Sequence, residues 1–120
     1  MFLNRYTLIL IIIFVCAGCS PFKVADVLSP YSGYEVTTNV SYGTLERQKL
    51  DIYTPTKIQE SSDIIIFIYG GSWKSGEKSN YRFIAQPFTK AGFITIVPNY
   101  RLYPEVRFPE FNKDVAKAVA

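Results

Sequence analysis

The stretch DIIIFIYGGSWKSGEK, residues 63–78, sets the architecture. Asp63 to Tyr69 is a nearly continuous apolar run, too short for a helix, and it predicts a strand buried on both faces. Gly70 to Lys78 then predicts a glycine-rich loop. Downstream, Ser79 or Asn80 is placed to cap a helix in which Phe83, Ile84, Pro87, Phe88 and Ala91 recur at helical spacing. Pro87 bends or interrupts that helix and Gly92 ends it. FITIV at 93–97 reads as a second buried strand. Strand, helix and strand in that order predict a parallel β-α-β crossover. Asn99 to Phe108 is a loop, after which Pro109 opens a final helix with Phe111, Val115, Ala118 and Val119 on one side. Upstream, Glu35–Tyr42 and Lys49–Tyr53 flank the turn Gly43–Arg47 as an antiparallel pair, and Thr54, Pro55 and Thr56 stop the second strand. The class is therefore α/β.

The 120 residues hold 48% apolar and 19% charged side chains, the composition of one globular domain. The net charge of +3 is spread along the chain with no basic block, so nucleic acid is not expected as a partner. There is no His, and the only two cysteines are Cys16 and Cys19, so neither a metal centre nor a Cys-His or Ser-His-Asp machinery can be completed from these residues. No cofactor motif is present.

The amino-terminal residues have the layout of an export signal. Arg5 supplies positive charge, Leu8–Ala17 is an unbroken apolar run of ten, and Ala17 and Gly18 lead into Cys19. A run half the length of a bilayer-spanning helix directs export rather than permanent spanning. CAGC before Ser20 resembles a bacterial lipobox, with Cys16 where Leu is usual. That resemblance implies a signal over 1–18, lipid on Cys19, and a membrane-anchored lipoprotein, in the outer membrane and facing the periplasm, the sorting that Ser20 implies. The CxxC spacing of Cys16 and Cys19 lies inside the signal, which argues against a redox role. Residues 19–34, mixed in Pro, Ser, Gly and Asp, predict a poorly ordered tether, leaving 35–120 as the folded part.

The glycine loop invites two chemical readings. A phosphate loop would need GxxxxGK followed by Ser or Thr, but Gly71–Gly76 is followed by Glu77, an acid where a lysine should meet phosphate. An oxyanion hole needs only backbone N–H groups presented to a developing alkoxide, and paired glycines allow that approach. An ordinary tight turn would use the same two glycines.

The flanking segments separate these readings. YGGSW at 69–73 resembles the HGGGW-type motif of α/β-hydrolase esterases and lipases. LDIYTP at 50–55 resembles the strand before that motif, and NYRLYPEVRFPE at 99–110 resembles the YRLAPE segment beyond the next strand. The pattern is that of feruloyl- and acetyl-esterase-like, hormone-sensitive-lipase-like and arylformamidase-like carboxylic-ester hydrolases, over about residues 36–120.

The resemblance implies an amino-terminal part of an α/β-hydrolase sheet: an antiparallel pair, a β-α-β crossover and a final helix. It implies that the amides of Gly71 and Ser72 stabilise the oxyanion and that Gly70 permits the turn. Tyr69 stands where the family usually has His and would hold the loop by hydrogen bonding. Trp73 would line the acyl pocket or pack the loop. Asp114 matches an acid that more often orders Arg101 or its loop than catalyses, and Arg101 with Glu105 is expected to form a structural pair in preference to contacting substrate.

The family nucleophile sits in a GxSxG elbow with an acid and a His further on. None of the nine serines lies in such a frame, and Ser72 is followed by Lys74 where Gly is required. The pattern stops in mid-helix at Ala120. The expectation is an amino-terminal portion of a serine esterase, inactive alone, whose substrate in the complete enzyme is a small ester. The alternative is a non-catalytic envelope lipoprotein acting as a tethered binding or interaction module.

Overall fold

The computed structural model describes residues 21–28, 32–59 and 62–120. The export signal, its Cys16 and Cys19, and the start of the tether lie outside the described residues. In order, the elements are helix α1 (Pro21–Leu28), strands β1 (Tyr34–Ser41), β2 (Lys49–Pro55) and β3 (Ile64–Ile66), a 3-10 turn (Lys78–Tyr81), helix α2 (Arg82–Lys90), strand β4 (Ile94–Pro98) and helix α3 (Glu110–Val119).

The four strands form one mixed sheet in the order β1-β2-β4-β3. β1 and β2 are antiparallel, β2 and β4 are antiparallel, and β3 and β4 are parallel with α2 between them in the chain. This is the antiparallel pair followed by a β-α-β unit that the apolar runs predict. The register aligns Val36, Tyr53, Thr95 and Ile65 on one face, and Thr37, Ile52, Ile96 and Ile66 on the other.

Four expectations are corrected. The stretch read as tether contains α1, a short helix that packs against the 3-10 turn and α2. β3 is three residues long and lies at an edge of the sheet: Ile64 is 60% exposed, so the strand is not buried on both faces. After Phe67 donates to the Ile96 carbonyl at 2.8 Å, the chain peels off β4 toward the glycine loop. Ser79 and Asn80 lie within the 3-10 turn, and the residue that precedes α2 is Tyr81, with no side-chain cap. The inward face of α2 is also not the expected apolar row.

That face is Arg82, Ala85, Gln86 and Thr89, an i, i+3, i+4, i+7 row. Phe88 is 40% exposed and Pro87 is exposed, whereas Phe83 and Ile84 are half-buried. The sheet face it covers explains the choice. Thr95 of β4 is fully buried there, and the Thr89 hydroxyl, which donates to the Ala85 carbonyl at 2.9 Å, lies 3.0 Å from the Thr95 hydroxyl. A leucine-like side chain at 89 would leave the Thr95 hydroxyl buried without that partner. Gly92, at φ +104, ends the helix as expected, and Pro109 precedes α3.

The core is dominated by phenol rings: Tyr34, Tyr53, Tyr69 and Tyr100 surround Ala85, Val97 and Phe111. Burying a tyrosine requires an anchor for its hydroxyl. For Tyr69 and Tyr100 those anchors converge under the glycine loop.

Candidate functional site: the glycine loop and its support

The loop leaves the sheet at Tyr69, which is 2% exposed. Its ring lies between those of Tyr81 and Tyr100, with centroids 4.9 and 4.8 Å away. Its hydroxyl donates to Asn99 Oδ1 at 2.7 Å and accepts from Arg47 Nη2 at 3.1 Å. Burial, partly offset by the Arg47 charge, pushes the phenol well above its ordinary value of 10.0, so it stays protonated and keeps its donor.

The conformational demand for glycine falls at Gly71 rather than Gly70. Gly70 has no positive φ, and a Cβ there would meet nothing. Gly71 is at φ +134, and a Cβ on it would sit 2.1 Å from the Ser75 carbonyl oxygen. Ser72 and Trp73 follow in the left-handed region at φ +55 and +60. Consecutive non-glycine residues there store strain of about 1–3 kcal/mol each and persist only where their surroundings hold them.

Several bonds do so. The Gly71 carbonyl accepts from the amides of Lys74 at 3.0 Å and Ser75 at 3.2 Å, and the Trp73 carbonyl accepts from the Tyr103 amide at 2.7 Å. The amides of Gly71 and Ser72 donate to no acceptor among the described residues, and both residues are exposed. They are not consumed by the sheet. Trp73 stacks on Phe111 at 4.5 Å and meets Tyr100 edge-on at 5.1 Å, yet remains 36% exposed. Of the two roles open to it, this contact is the packing one.

The far end of the loop is held by polar residues that sequence reasoning missed. Arg47, in the β1–β2 turn, donates from Nη2 to the Gly76 carbonyl at 2.9 Å and from Nε to the Tyr100 carbonyl at 2.8 Å, and its Nη1 pairs with Glu77 at 3.2 Å. Asn99 accepts the Lys78 amide at 2.8 Å and donates a short bond to Glu77. The Tyr100 hydroxyl donates to the Tyr69 carbonyl at 2.7 Å. Gly76 is glycine because a Cβ would fall 2.4 Å from the Tyr69 ring. Beneath this layer, Lys78 Nζ and Asp51 form a buried ion pair at 2.6 Å, with Asn39 Oδ1 accepting from the same ammonium at 2.9 Å. Asn99 opens the NYRLYPE segment, and that position was the one available signal; Arg47 stood in an unremarkable turn.

Asp114 is 2% exposed and takes both Arg101 nitrogens, Nε at 2.8 Å and Nη2 at 2.7 Å, with the Arg101 amide at 3.0 Å and Gln48 at 2.9 Å. Burial alone would raise its carboxyl, but these hydrogen bonds outweigh it and hold the group below its ordinary value of 3.8. The assignment of Asp114 to ordering Arg101 agrees with this geometry. The expected Arg101–Glu105 pair does not form: the second acid on Arg101 is Glu110, at 3.7 Å. Glu105 acts on Arg101 only through its field.

Chemically, the arrangement can present unpaired amides to an anion. Among the described residues no group of three or more His, Cys, Asp or Glu converges as metal ligands would.

The BD-FAE family model matches residues 50–120 of this chain. Kynurenine formamidase of Salmo salar is 30% identical over 81 residues, which are 68% of this chain and 28% of that protein. Among solved structures, a truncated form of a carbohydrate esterase from gut microbiota superposes with a TM-score of 0.62 at 34% identity, over 75% of this chain and 33% of the other. Esterase B of Lactobacillus rhamnosis superposes with a TM-score of 0.75 at 20% identity, over 93% and 37%, a likeness of fold. The chain thus spans between 28% and 37% of the length of these three proteins.

Proposed function

The chain belongs to the BD-FAE family of α/β-hydrolase esterases, and from that membership we propose that it is the amino-terminal part of a serine carboxylic-ester hydrolase, supplying the oxyanion loop. The amides of Gly71 and Ser72 receive the alkoxide of the tetrahedral intermediate. Tyr69, Asn99 and Arg47 hold the strand end and loop end at fixed separation, so the donors need no reorganisation as charge develops. Trp73 flanks the acyl side. The nucleophile, acid and His belong to residues other than these 120, and the substrate is a small ester.

One observation carries this reading: a strained loop keeps two exposed amides without an acceptor, on a scaffold otherwise rich in hydrogen bonds. A loop serving only as a turn has no reason to sustain that strain.

With no His available, the 120-residue chain alone does not hydrolyse p-nitrophenyl acetate above the rate of its Gly71→Asp variant. Clear turnover by the wild-type chain would overturn the division of labour. Reading the gene beyond codon 120 tests the rest. An in-frame GxSxG followed by Asp and His, in a product whose kcat falls about 10²–10³-fold on Gly71→Asp, supports the esterase. The absence of that coding sequence leaves the non-catalytic tethered lipoprotein.

We also propose that residues 1–18 are a signal and that Cys19 carries the lipid that anchors the protein in the outer membrane, facing the periplasm. The support is the lipobox-like CAGC after a ten-residue apolar run. Labelled palmitate should be incorporated and lost in Cys19→Ala; labelling unchanged by that substitution removes the anchor.

A further inference from the structure

Immediately beyond the oxyanion loop the surface turns aromatic and cationic. Tyr103 is 41% exposed and is tied to the loop by its backbone N–H, which donates a hydrogen bond to the Trp73 carbonyl. Its ring has Lys74 Nζ 5.5 Å and the Arg107 guanidinium carbon 5.6 Å from its centroid. Phe108, 74% exposed, continues the aromatic surface through Phe111, on which Trp73 stacks.

Lys74 and Arg107 make no ion pair among the described residues. Glu105, two residues from both Tyr103 and Arg107, makes no ion pair among the described residues. Glu110 pairs with Lys113 at 2.6 Å and Arg101 at 3.7 Å, and the field of Glu105 falls on Arg101. Two cations drawn to one phenol ring repel each other, and the ring quadrupole neutralises neither. An anion held by either cation offsets that repulsion, and an apolar body attached to it can lie against Trp73 and Phe108.

The geometry points to a substrate subsite formed by Lys74, Tyr103 and Arg107 that takes an ester bearing an anionic group, a carboxylate in the simplest case, beside an apolar body. Lys74 is two residues from Ser72, so the anionic group lies next to the ester under attack. The assignment to a substrate rests on the esterase reading; the anion subsite itself does not, and a binding measurement on the chain separates the two.

Trp73 is the only tryptophan in the protein, so its fluorescence reports on this surface directly. Titration with benzoate and with benzamide, which share a ring and differ in charge, should give saturable quenching with a Kd for benzoate about tenfold lower. The preference should weaken as salt rises. In Lys74→Gln/Arg107→Gln, two exposed positions whose replacement leaves the core intact, the two ligands should bind alike. Equal affinities in the wild type, or a benzoate preference that survives the double substitution, overturns the subsite. Inorganic phosphate competing as strongly as benzoate also overturns it, because the ring would then contribute nothing. Hydrolysis of neutral p-nitrophenyl acetate by a longer product tests the esterase reading, and the binding measurement on the 120-residue chain tests the anion subsite.

Discussion

Tyr69 shows how a single residue can hold a loop by chemistry different from that usual at its position. Where the family pattern has His, the phenol uses two ring faces and one hydroxyl: stacking on Tyr81 and Tyr100, donation to Asn99, acceptance from Arg47. Tyr69→Phe keeps the stack and removes the hydroxyl. It should lower stability by about 1–3 kcal/mol in a denaturant or thermal melt, the expected loss when Arg47 and Asn99 are left underpaired in the interior. A variant as stable as the wild type would mean that the rings alone hold the loop. That Tyr69 supports the loop was legible from its place before GG. Its partners were not, because Arg47 and Asn99 are 22 and 30 residues away and meet it only through the sheet.

Among the secondary-structure elements, two buried charge clusters stitch the strands to the helical segments beyond them. Asp51 on β2 and Lys78 at the 3-10 turn are both almost fully buried, at 5% and 7% side-chain exposure. Lys78→Met should destabilise the fold by about 3–5 kcal/mol, since it strands the Asp51 carboxylate. Adding Asp51→Leu should recover part of that loss, and a double variant no better than the single would show that burial, not pairing, dominates. Asp114 fastens α3 to Arg101 and Gln48 in the same way. Its carboxyl titrates below the ordinary 3.8, so its contribution to stability is present above that pH and is lost as pH falls through the depressed folded value. Asp114→Asn should therefore be less stable at neutral pH and show a shallower decline in Tm below about pH 4; parallel acid limbs would contradict the linkage. The sequence pattern located α2 and α3 but not the inward face of α2, because apolar periodicity cannot anticipate that a threonine on β4 needs a threonine opposite.

For the molecule as a whole, the sheet formed by the described residues ends on a strand with an open side. Among the described residues β3 pairs only with β4, Ile64 is 60% exposed, and Ile52, Ile66 and Ile96 on the face away from Ala85 and Thr89 remain half-buried. An unpaired parallel edge with an apolar face invites association. The chain without residues 1–18 should elute ahead of its monomer position in size-exclusion chromatography and bind a hydrophobic dye; a soluble monomer with a cooperative melt would contradict this.

The succession of strands, the β-α-β unit, the glycine loop and the family pattern were all readable in the bare sequence, because each rests on contiguous residues whose spacing is itself the signal. The shortness of β3, the polar face of α2, the partners of Arg101 and the Arg47–Tyr69–Asn99–Glu77 support emerged only from the folded chain. Each depends on which side chains the sheet brings together across tens of residues, and a buried donor is satisfied by whatever acceptor stands opposite it in space, which no local spacing encodes.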